Sequence, residues 1–221
     1  MKKLFFTIFS SLMMIGGVTA QENDWAGCCV FEKANQTAPR GAKAVFIGNS
    51  ITEGWMSKHE VFFTENGYIG RGIGGQVSSQ MLSRFHQDVV DLKPKAVVIL
   101  AGTNDIARNN GYISLKNIFN NIVSMVEIAK SNKIKVVLCS IVPASKFGWR
   151  KELSPAEDIK AMNVMIKKYA KDHKIPYVDY HSALTDENGG LPLKYAADGV
   201  HPNVDGYLIM ESLVKPVLDK L

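Results

Sequence analysis

The sequence has 221 residues, a formal net charge of +5 at pH 7 and three cysteines. The basic residues are spread along the chain without a block of like charge, so the charge pattern gives no case for a nucleic-acid or membrane-surface partner. Two cysteines are adjacent, and the third, Cys139, lies in an apolar run where a free buried thiol is expected. No disulfide framework is implied, and no spacing of cysteines and histidines indicates a zinc or other metal site.

The amino terminus predicts a secretory signal peptide. Two lysines precede an apolar run that closes on the small residues at 18–20, which is the pattern read by signal peptidase. The run is broken by serines and glycines and is too short for a spanning helix, which needs ~20 apolar residues. Lipidation at Cys28 is the weaker alternative, because polar residues separate it from the apolar run. We therefore expect a signal peptide at 1–20, an N-terminal extension at 21–42, one folded domain at 43–221, and export to the periplasm or the extracellular space.

Apolar runs of strand length alternate with helical patterns through the rest of the chain. Continuous apolarity favours strands that are covered on both faces, as in a parallel sheet. Strands are predicted at 43–48, just before Gly72, and at 95–102, 134–142 and 175–180. Helices are predicted at 76–91, 114–131, 154–173 with Ser154 as its cap, and near 203–219. This order predicts a single-domain, doubly wound, flavodoxin-like α/β sandwich around a mainly parallel sheet of about five strands.

Polar residues cluster where the predicted strands end, which is where ligands bind in such sheets. The first strand runs into "GNSITEGW", and Ser50 follows it at a position where a serine hydroxyl can be presented at the sheet edge. Near the carboxyl terminus, "DGVHPN" places Asp198 three residues before His201. A carboxylate so close can orient the imidazole and leave its second nitrogen to act as a base. The structural alternatives are a helix cap for Ser50 and an ordinary loop histidine.

Four short motifs, "GNSITEGW", "GIGGQVSSQ", "GTND" and "DGVHP", stand in the order and approximate spacing of the SGNH, or GDSL-like, hydrolases. The resemblance spans 45–206 and implies the SGNH-hydrolase fold for 43–221. It also implies that Ser50 is the nucleophile, that His201 is the general base and then the acid, and that Asp198 orients His201. The resemblance calls for no metal and no organic cofactor.

The same resemblance implies an oxyanion hole. Its donors would be the backbone N–H groups of Ser50 and Gly75 and the side-chain amide of Asn104. Gly75 is preferred over Gly74 because the family's glycine directly precedes a polar residue. Asn49 departs from the pattern, since the family usually has aspartate before the serine, and the loss of that charge leaves the hydrogen bonding of this loop open.

The loop "VPASKFGWRKEL" after the fourth strand is the candidate for substrate specificity. Phe147 and Trp149 would offer flat apolar faces and Arg150 a fork of donors, a combination that suits a sugar ring or a carboxylated glycan. Glu53 and Trp55, shortly after the nucleophile, would line the pocket or belong to the surface of the next helix. Core packing of Phe147 and a solvated Arg150 are the structural alternatives.

The resemblance implies a serine esterase that hydrolyses small acyl esters through an acyl-enzyme intermediate, and the predicted signal peptide implies that it is exported. Export favours acetyl groups on carbohydrates, so the expected partner is a small acylated substrate, an acetylated glycan, with neither nucleic acid nor a membrane span. Within the same class the alternative is a lipid-directed acylhydrolase, resembling lysophospholipase or platelet-activating-factor acetylhydrolase. A different class is non-enzymatic: a flavodoxin-like module or a glycan-binding relative.

Overall fold

The computed structural model describes residues 24–221, and the signal peptide predicted at 1–20 lies outside this range. Five parallel strands form one sheet in the order β2-β1-β3-β4-β5. The strands are β1 (Ala44–Gly48), β2 (Tyr68–Gly72), β3 (Ala96–Ile99), β4 (Lys135–Cys139) and β5 (Tyr177–Val178). The predicted doubly wound α/β fold is thus confirmed, and the last three strands, β3, β4 and β5, are shorter than the predicted 95–102, 134–142 and 175–180.

The helices pack on both faces of the sheet. Those of the described residues are α1 (Glu32–Thr37), α2 (Ser50–Lys58), α3 (Glu60–Asn66), α4 (Ser78–Ser83), α5 (Phe85–Asp88), α6 (Thr103–Ile106), α7 (Leu115–Ser131), α8 (Ala156–Asp172), α9 (Tyr180–Leu184) and α10 (Val204–Leu218). No described helix has the length and apolar character that crossing a bilayer requires. The cap predicted for α8 is wrong: the helix begins one residue later, so Pro155 precedes it and Ser154 is too far back to reach its first N–H groups.

The strand side chains alternate between two cores. Val45, Ile47 and their neighbours pack against α4, α5, α7 and α8, whereas Ala44 and Phe46 pack against α2, α3, α9 and α10. Cys139 lies in the second core as a free thiol, and burial raises its pKa to about 12. Because both faces are covered, only the ends of the strands remain for polar chemistry.

The helix predicted at 76–91 is interrupted at Arg84, which separates α4 from α5. Its guanidinium is fully buried and forms an ion pair of 2.8 Å with Asp88. The remaining donors bind Gln76 Oε1 at 2.7 Å and the carbonyl oxygens of Gly48 and Arg71, each at 3.0 Å. Arg84 thus holds together the ends of β1 and β2 and the loop that follows β2.

The described part of the N-terminal extension, 24–42, packs directly on this buried ion pair. The contacts that fasten it are Asn35 to Asp88 at 2.6 Å, Arg71 to Asn35 at 2.9 Å, Gln76 to the Ala26 carbonyl at 2.6 Å, and the Phe31 ring 4.8 Å from the Arg71 guanidinium carbon. The extension therefore shields Arg84 and Asp88 from water and shares their hydrogen bonds.

Two glycines bring the start of α2 against the edge of the sheet. A Cβ atom on Gly48 would lie 2.1 Å from Thr52 Oγ1, and one on Gly72 would lie 2.1 Å from the backbone nitrogen of Glu53. Neither contact leaves room for a side chain. The ends of β1 and β2 thus set the position of the first turn of α2.

Candidate active site

Ser50 is the first residue of α2, at the carboxyl end of β1. The preceding Asn49 is buried, and its side-chain oxygen accepts the N–H of Ile51 at 3.0 Å, so it is the N-cap of this helix. The open question about Asn49 thus has a structural answer, because a neutral amide supplies the capping oxygen. The cap holds the helix start in place directly beside Ser50.

A continuous chain of hydrogen bonds joins Ser50, His201 and Asp198. Ser50 Oγ lies 2.8 Å from His201 Nε2, and His201 Nδ1 lies 2.6 Å from Asp198 Oδ2. The carboxylate accepts only, so Nδ1 carries the proton and Nε2 has a lone pair for the serine hydroxyl. The structure therefore brings together the three residues singled out in the sequence, in the order that nucleophilic catalysis requires.

The environment of Asp198 keeps its carboxylate ionised. Burial raises its pKa, but the backbone and side-chain hydrogen bonds from His201 and the backbone N–H of Val200 outweigh this and hold the pKa below its usual value of 3.8. The two backbone donors lie at 2.8 and 2.9 Å from Oδ1. One oxygen is thus fixed by the loop and the other is free to hold the imidazole.

The loop that carries His201 is positioned by contacts between α10 and α2. Tyr207 Oη donates to the Ile51 carbonyl at 2.7 Å and Trp55 Nε1 donates to Glu211 Oε1 at 2.9 Å, while Lys58 Nζ of α2 donates at 2.9 Å to the carbonyl of Pro202, in the loop itself. The helix of the nucleophile and the element of the base are therefore linked directly. Sequence reasoning did not identify Tyr207 or Glu211, whose partners are more than a hundred residues away.

The predicted oxyanion donors follow β2, β1 and β3, which are adjacent strands with β1 in the centre. Gly75 has a φ of 74°, and within the described part of the chain neither its N–H nor that of Ser50 donates to a protein acceptor. Asn104 is buried, and its Nδ2 donates to the Gln76 carbonyl at 3.0 Å, which occupies one of its two hydrogens. Gly74 approaches Ser50 closely, since a Cβ on it would lie 4.0 Å from Ser50 Cβ. The predicted donors thus follow three adjacent strands of the sheet, with Ser50 after the central one.

Asp105 has a structural role, as a loop acceptor. Its carboxylate accepts the backbone N–H of Ser78 at 2.9 and 3.0 Å and the Ser78 hydroxyl at 2.6 Å. Burial raises its pKa although these bonds act in the opposite direction. Among residues 24–221, no group of three or more histidine, cysteine, aspartate or glutamate side chains could hold a metal ion.

Two of the four predicted substrate-binding residues lie in the core. Trp55 is 1% exposed, stacked on Phe62 and Tyr207, and Phe147 is 0% exposed. This corrects the expectation that they line the pocket, because neither ring has a free face. Phe147 instead supports Trp149, with ring centroids 5.1 Å apart.

Trp149 and Arg150 remain accessible at the rim of the site. The Trp149 side chain is 44% exposed, and its ring centroid lies 6.2 Å from that of His201. Arg150 Nη2 donates to the Arg108 carbonyl at 3.2 Å, so it joins this loop to the segment after "GTND". Of the specificity candidates, Trp149 is the one placed directly beside the base.

Two further polar residues lie near the site, Asn109, which has no role predicted from the sequence, and Glu53, which was expected at the pocket or on the surface of α2. Asn109 Nδ2 donates to Asn104 Oδ1 at 3.0 Å and lies 3.4 Å from the Gly75 carbonyl. The Glu53 carboxylate lies beside Gly74, 2.9 Å from where a Cβ on that glycine would be. Asn109 follows Asn104 by only five residues, and this was the one sequence feature that could have indicated its role. Because polar runs are common in surface loops, the feature does not distinguish Asn109 from its neighbours.

The chain is similar to known acylhydrolases and esterases in both sequence and structure. The model of the GDSL-like lipase/acylhydrolase family matches residues 46–209. A solved structure of a candidate acylhydrolase from Bacteroides fragilis is 48% identical, covers 90% of this chain and 99% of its own, and superposes with a TM-score of 0.88. The esterase TesA of Pseudomonas aeruginosa is 26% identical over 160 residues, which are 71% of this chain and 73% of that protein.

More distant proteins share the fold or part of the length. The structure of an acetylxylan esterase from Geobacillus stearothermophilus is 20% identical, covers 82% of this chain and 95% of its own, and has a TM-score of 0.63, a likeness of fold alone. The chain spans 43% of the length of the uncharacterized lipoprotein YqeF of Bacillus subtilis, to which it is 28% identical over 125 residues.

Proposed function

Because the chain belongs to the GDSL-like lipase/acylhydrolase family of carboxylic ester hydrolases, we propose that it is a serine esterase whose catalytic residues are Ser50, His201 and Asp198. One observation carries the proposal: the unbroken path from Ser50 Oγ through both ring nitrogens of His201 to Asp198, with distances of 2.8 and 2.6 Å. Such a path lets a neutral imidazole take the serine proton while the carboxylate stabilises the imidazolium.

Acylation would start with attack of Ser50 Oγ on the ester carbonyl carbon while His201 Nε2 takes the hydroxyl proton. The tetrahedral oxyanion would be held by the N–H groups of Ser50 and Gly75 and the Asn104 amide. Collapse of this intermediate breaks the bond to the alcohol, which leaves with the proton from His201. A water molecule then repeats the sequence on the acyl-enzyme and releases the acid and the free serine.

The substrate class is proposed to be small acyl esters, acetyl above all, on carbohydrates outside the cytoplasm. The exposed face of Trp149 beside His201 supports this, because flat aromatic faces pack well on sugar rings. The predicted signal peptide supports export. The shared fold with an acetylxylan esterase agrees with the proposal, but a likeness of fold alone does not indicate the substrate.

The test is acetate release from a panel of acetylated glycans, with the Ser50→Ala variant as the control for enzymatic turnover. The intact enzyme should release acetate and the variant should not, while both unfold at the same temperature. A p-nitrophenyl ester series should show faster hydrolysis of acetyl than of octanoyl esters. A preference for octanoyl would favour a lipid-directed acylhydrolase, and activity in Ser50→Ala would overturn the assigned nucleophile.

A further inference from the structure

A line of three hydrogen bonds runs from the exposed rim of the site to the proposed oxyanion hole. Trp149 Nε1 donates to Asn109 Oδ1 at 2.9 Å, and Asn109 Nδ2 donates to Asn104 Oδ1 at 3.0 Å. Asn104 Nδ2 then donates to the Gln76 carbonyl at 3.0 Å. An indole can only donate and a carbonyl can only accept, so the two ends fix the direction of the whole line.

We propose that Asn109 is a positioning residue that sets the orientation of the Asn104 amide, and that Trp149 holds Asn109 in turn. The inference rests on the proposed function, in which the Asn104 amide stabilises the oxyanion. It assigns to the rim of the pocket a part in building the oxyanion hole, besides any contact with substrate.

The orientation matters because the two ends of an amide have opposite polarity. If Asn104 were rotated by half a turn, its oxygen would face the Gln76 carbonyl and its NH2 would face the NH2 of Asn109. Asn104 is 3% exposed, so water would not readily replace the lost bonds. The rotated amide would also present an oxygen where a donor is required. In the observed orientation, the second Nδ2 hydrogen remains for the oxyanion.

The side chain of Asn109 is not needed to close its own loop. The backbone N–H of Asn109 donates to the Asn104 carbonyl at 3.0 Å, and that of Arg108 donates to the Asp105 carbonyl at 2.9 Å. These bonds are independent of the side chain at position 109. Removing the Asn109 amide should therefore release Asn104 while the loop keeps its course.

The experiment measures kcat and KM for p-nitrophenyl acetate in Asn109→Ala, Asn104→Ala and the double variant. Asn109→Ala should lower kcat by about tenfold with KM changed less than about twofold, since a displaced catalytic group loses rate rather than ground-state binding. In the Asn104→Ala background the same change should cost less than about twofold, because no amide remains to be oriented. Trp149→Phe keeps a ring but removes the donor. It should lower kcat in the parent enzyme and have a smaller effect in the Asn104→Ala background.

Asn110→Ala is the matched control, since this neighbouring asparagine is exposed and forms no side-chain hydrogen bond within the described residues. It should retain the parent kcat, and all variants should keep the parent melting temperature to within a few degrees. Equal losses from Asn109→Ala in both backgrounds, or a rise in KM alone, would overturn the inference. Full activity of Asn104→Ala would instead refute the proposed oxyanion hole. If Asn104→Ala loses most of its activity while Asn109→Ala keeps all of it, the positioning role of Asn109 alone is overturned.

Discussion

Asp198 binds His201 twice, through the imidazole at Oδ2 and through the backbone N–H at Oδ1. The bond to the imidazole is 2.6 Å long and the bond to the backbone N–H is 2.8 Å long, so the carboxylate fixes the ring and the loop together. Orientation of the base and local folding of the loop therefore depend on the same charge.

The first prediction concerns stability against pH. The pKa of Asp198 is lower in the folded chain than its usual value of 3.8. Its contribution to the free energy of unfolding is therefore present above this value and is lost as the pH falls through the folded pKa. Urea unfolding of the parent and Asp198→Asn should give a difference that is constant near neutral pH and shrinks below about pH 4. A difference that grows towards acid pH would contradict the assigned hydrogen bonds.

The second prediction concerns turnover by the same variant. Asparagine in place of Asp198 keeps the shape but can present an amide N–H to the imidazole, which stabilises the wrong tautomer. We expect kcat to fall by about 10³–10⁴-fold at neutral pH, as in other triads of this type. Steady-state hydrolysis of p-nitrophenyl acetate measures this, and a loss of tenfold or less would mean that His201 does not need Asp198 for its orientation.

The third prediction concerns the close approach of β2 and α2. Gly72→Ala places a Cβ 2.1 Å from the backbone nitrogen of Glu53, so the start of α2 must move. We expect a loss of about 1–3 kcal/mol or more in the free energy of unfolding, together with lower kcat because Ser50 moves with the helix. Gly148→Ala is the control, since no atom lies within 4 Å of its Cβ position, and it should change stability by less than about 0.5 kcal/mol.

The fourth prediction compares two exposed tryptophans, Trp149 beside His201 and Trp25 in the N-terminal extension. Trp149→Ala should lower kcat/KM more for an acetylated glycan than for p-nitrophenyl acetate, because only the glycan can stack on the exposed ring. The extra loss should be about two- to tenfold, from the usual strength of aromatic contacts. Trp25→Ala, which removes another exposed tryptophan, should lose neither activity. Equal losses for both substrates would leave Trp149 with a role in the oxyanion hole but none in glycan binding.

The sequence was most informative where a local pattern is enough. Continuous apolar strands and regular helical periods gave the sheet and α7, and short motifs gave Ser50, Asp198 and His201. The roles of Trp55 and Phe147 could not be derived in this way, because an aromatic residue beside a motif can face a pocket or the core equally well. The burial of Trp55 depends on Glu211, which is 156 residues away.

The interruption of the helix at Arg84 could not be predicted either, because it also depends on residues that are distant in the sequence. The period of 76–91 is that of one helix, and nothing local indicates that a guanidinium will turn inward to bind two carbonyl oxygens at the ends of β1 and β2. Such a burial is tolerated because each of the three guanidinium nitrogens donates to an acceptor. Only the assembled sheet supplies those acceptors.

The distance along the chain between Ser50 and His201 also has a consequence for folding. The two residues are 151 positions apart, and they meet through contacts of α10, the last helix, with α2. As long as α10 is not docked against α2, position 50 holds an ordinary alcohol. During refolding, turnover should return no earlier than far-ultraviolet circular dichroism, because activity requires this non-local contact whereas the dichroism also reports local helices. Reactivity is thus a property of the assembled domain and not of any contiguous segment of the chain.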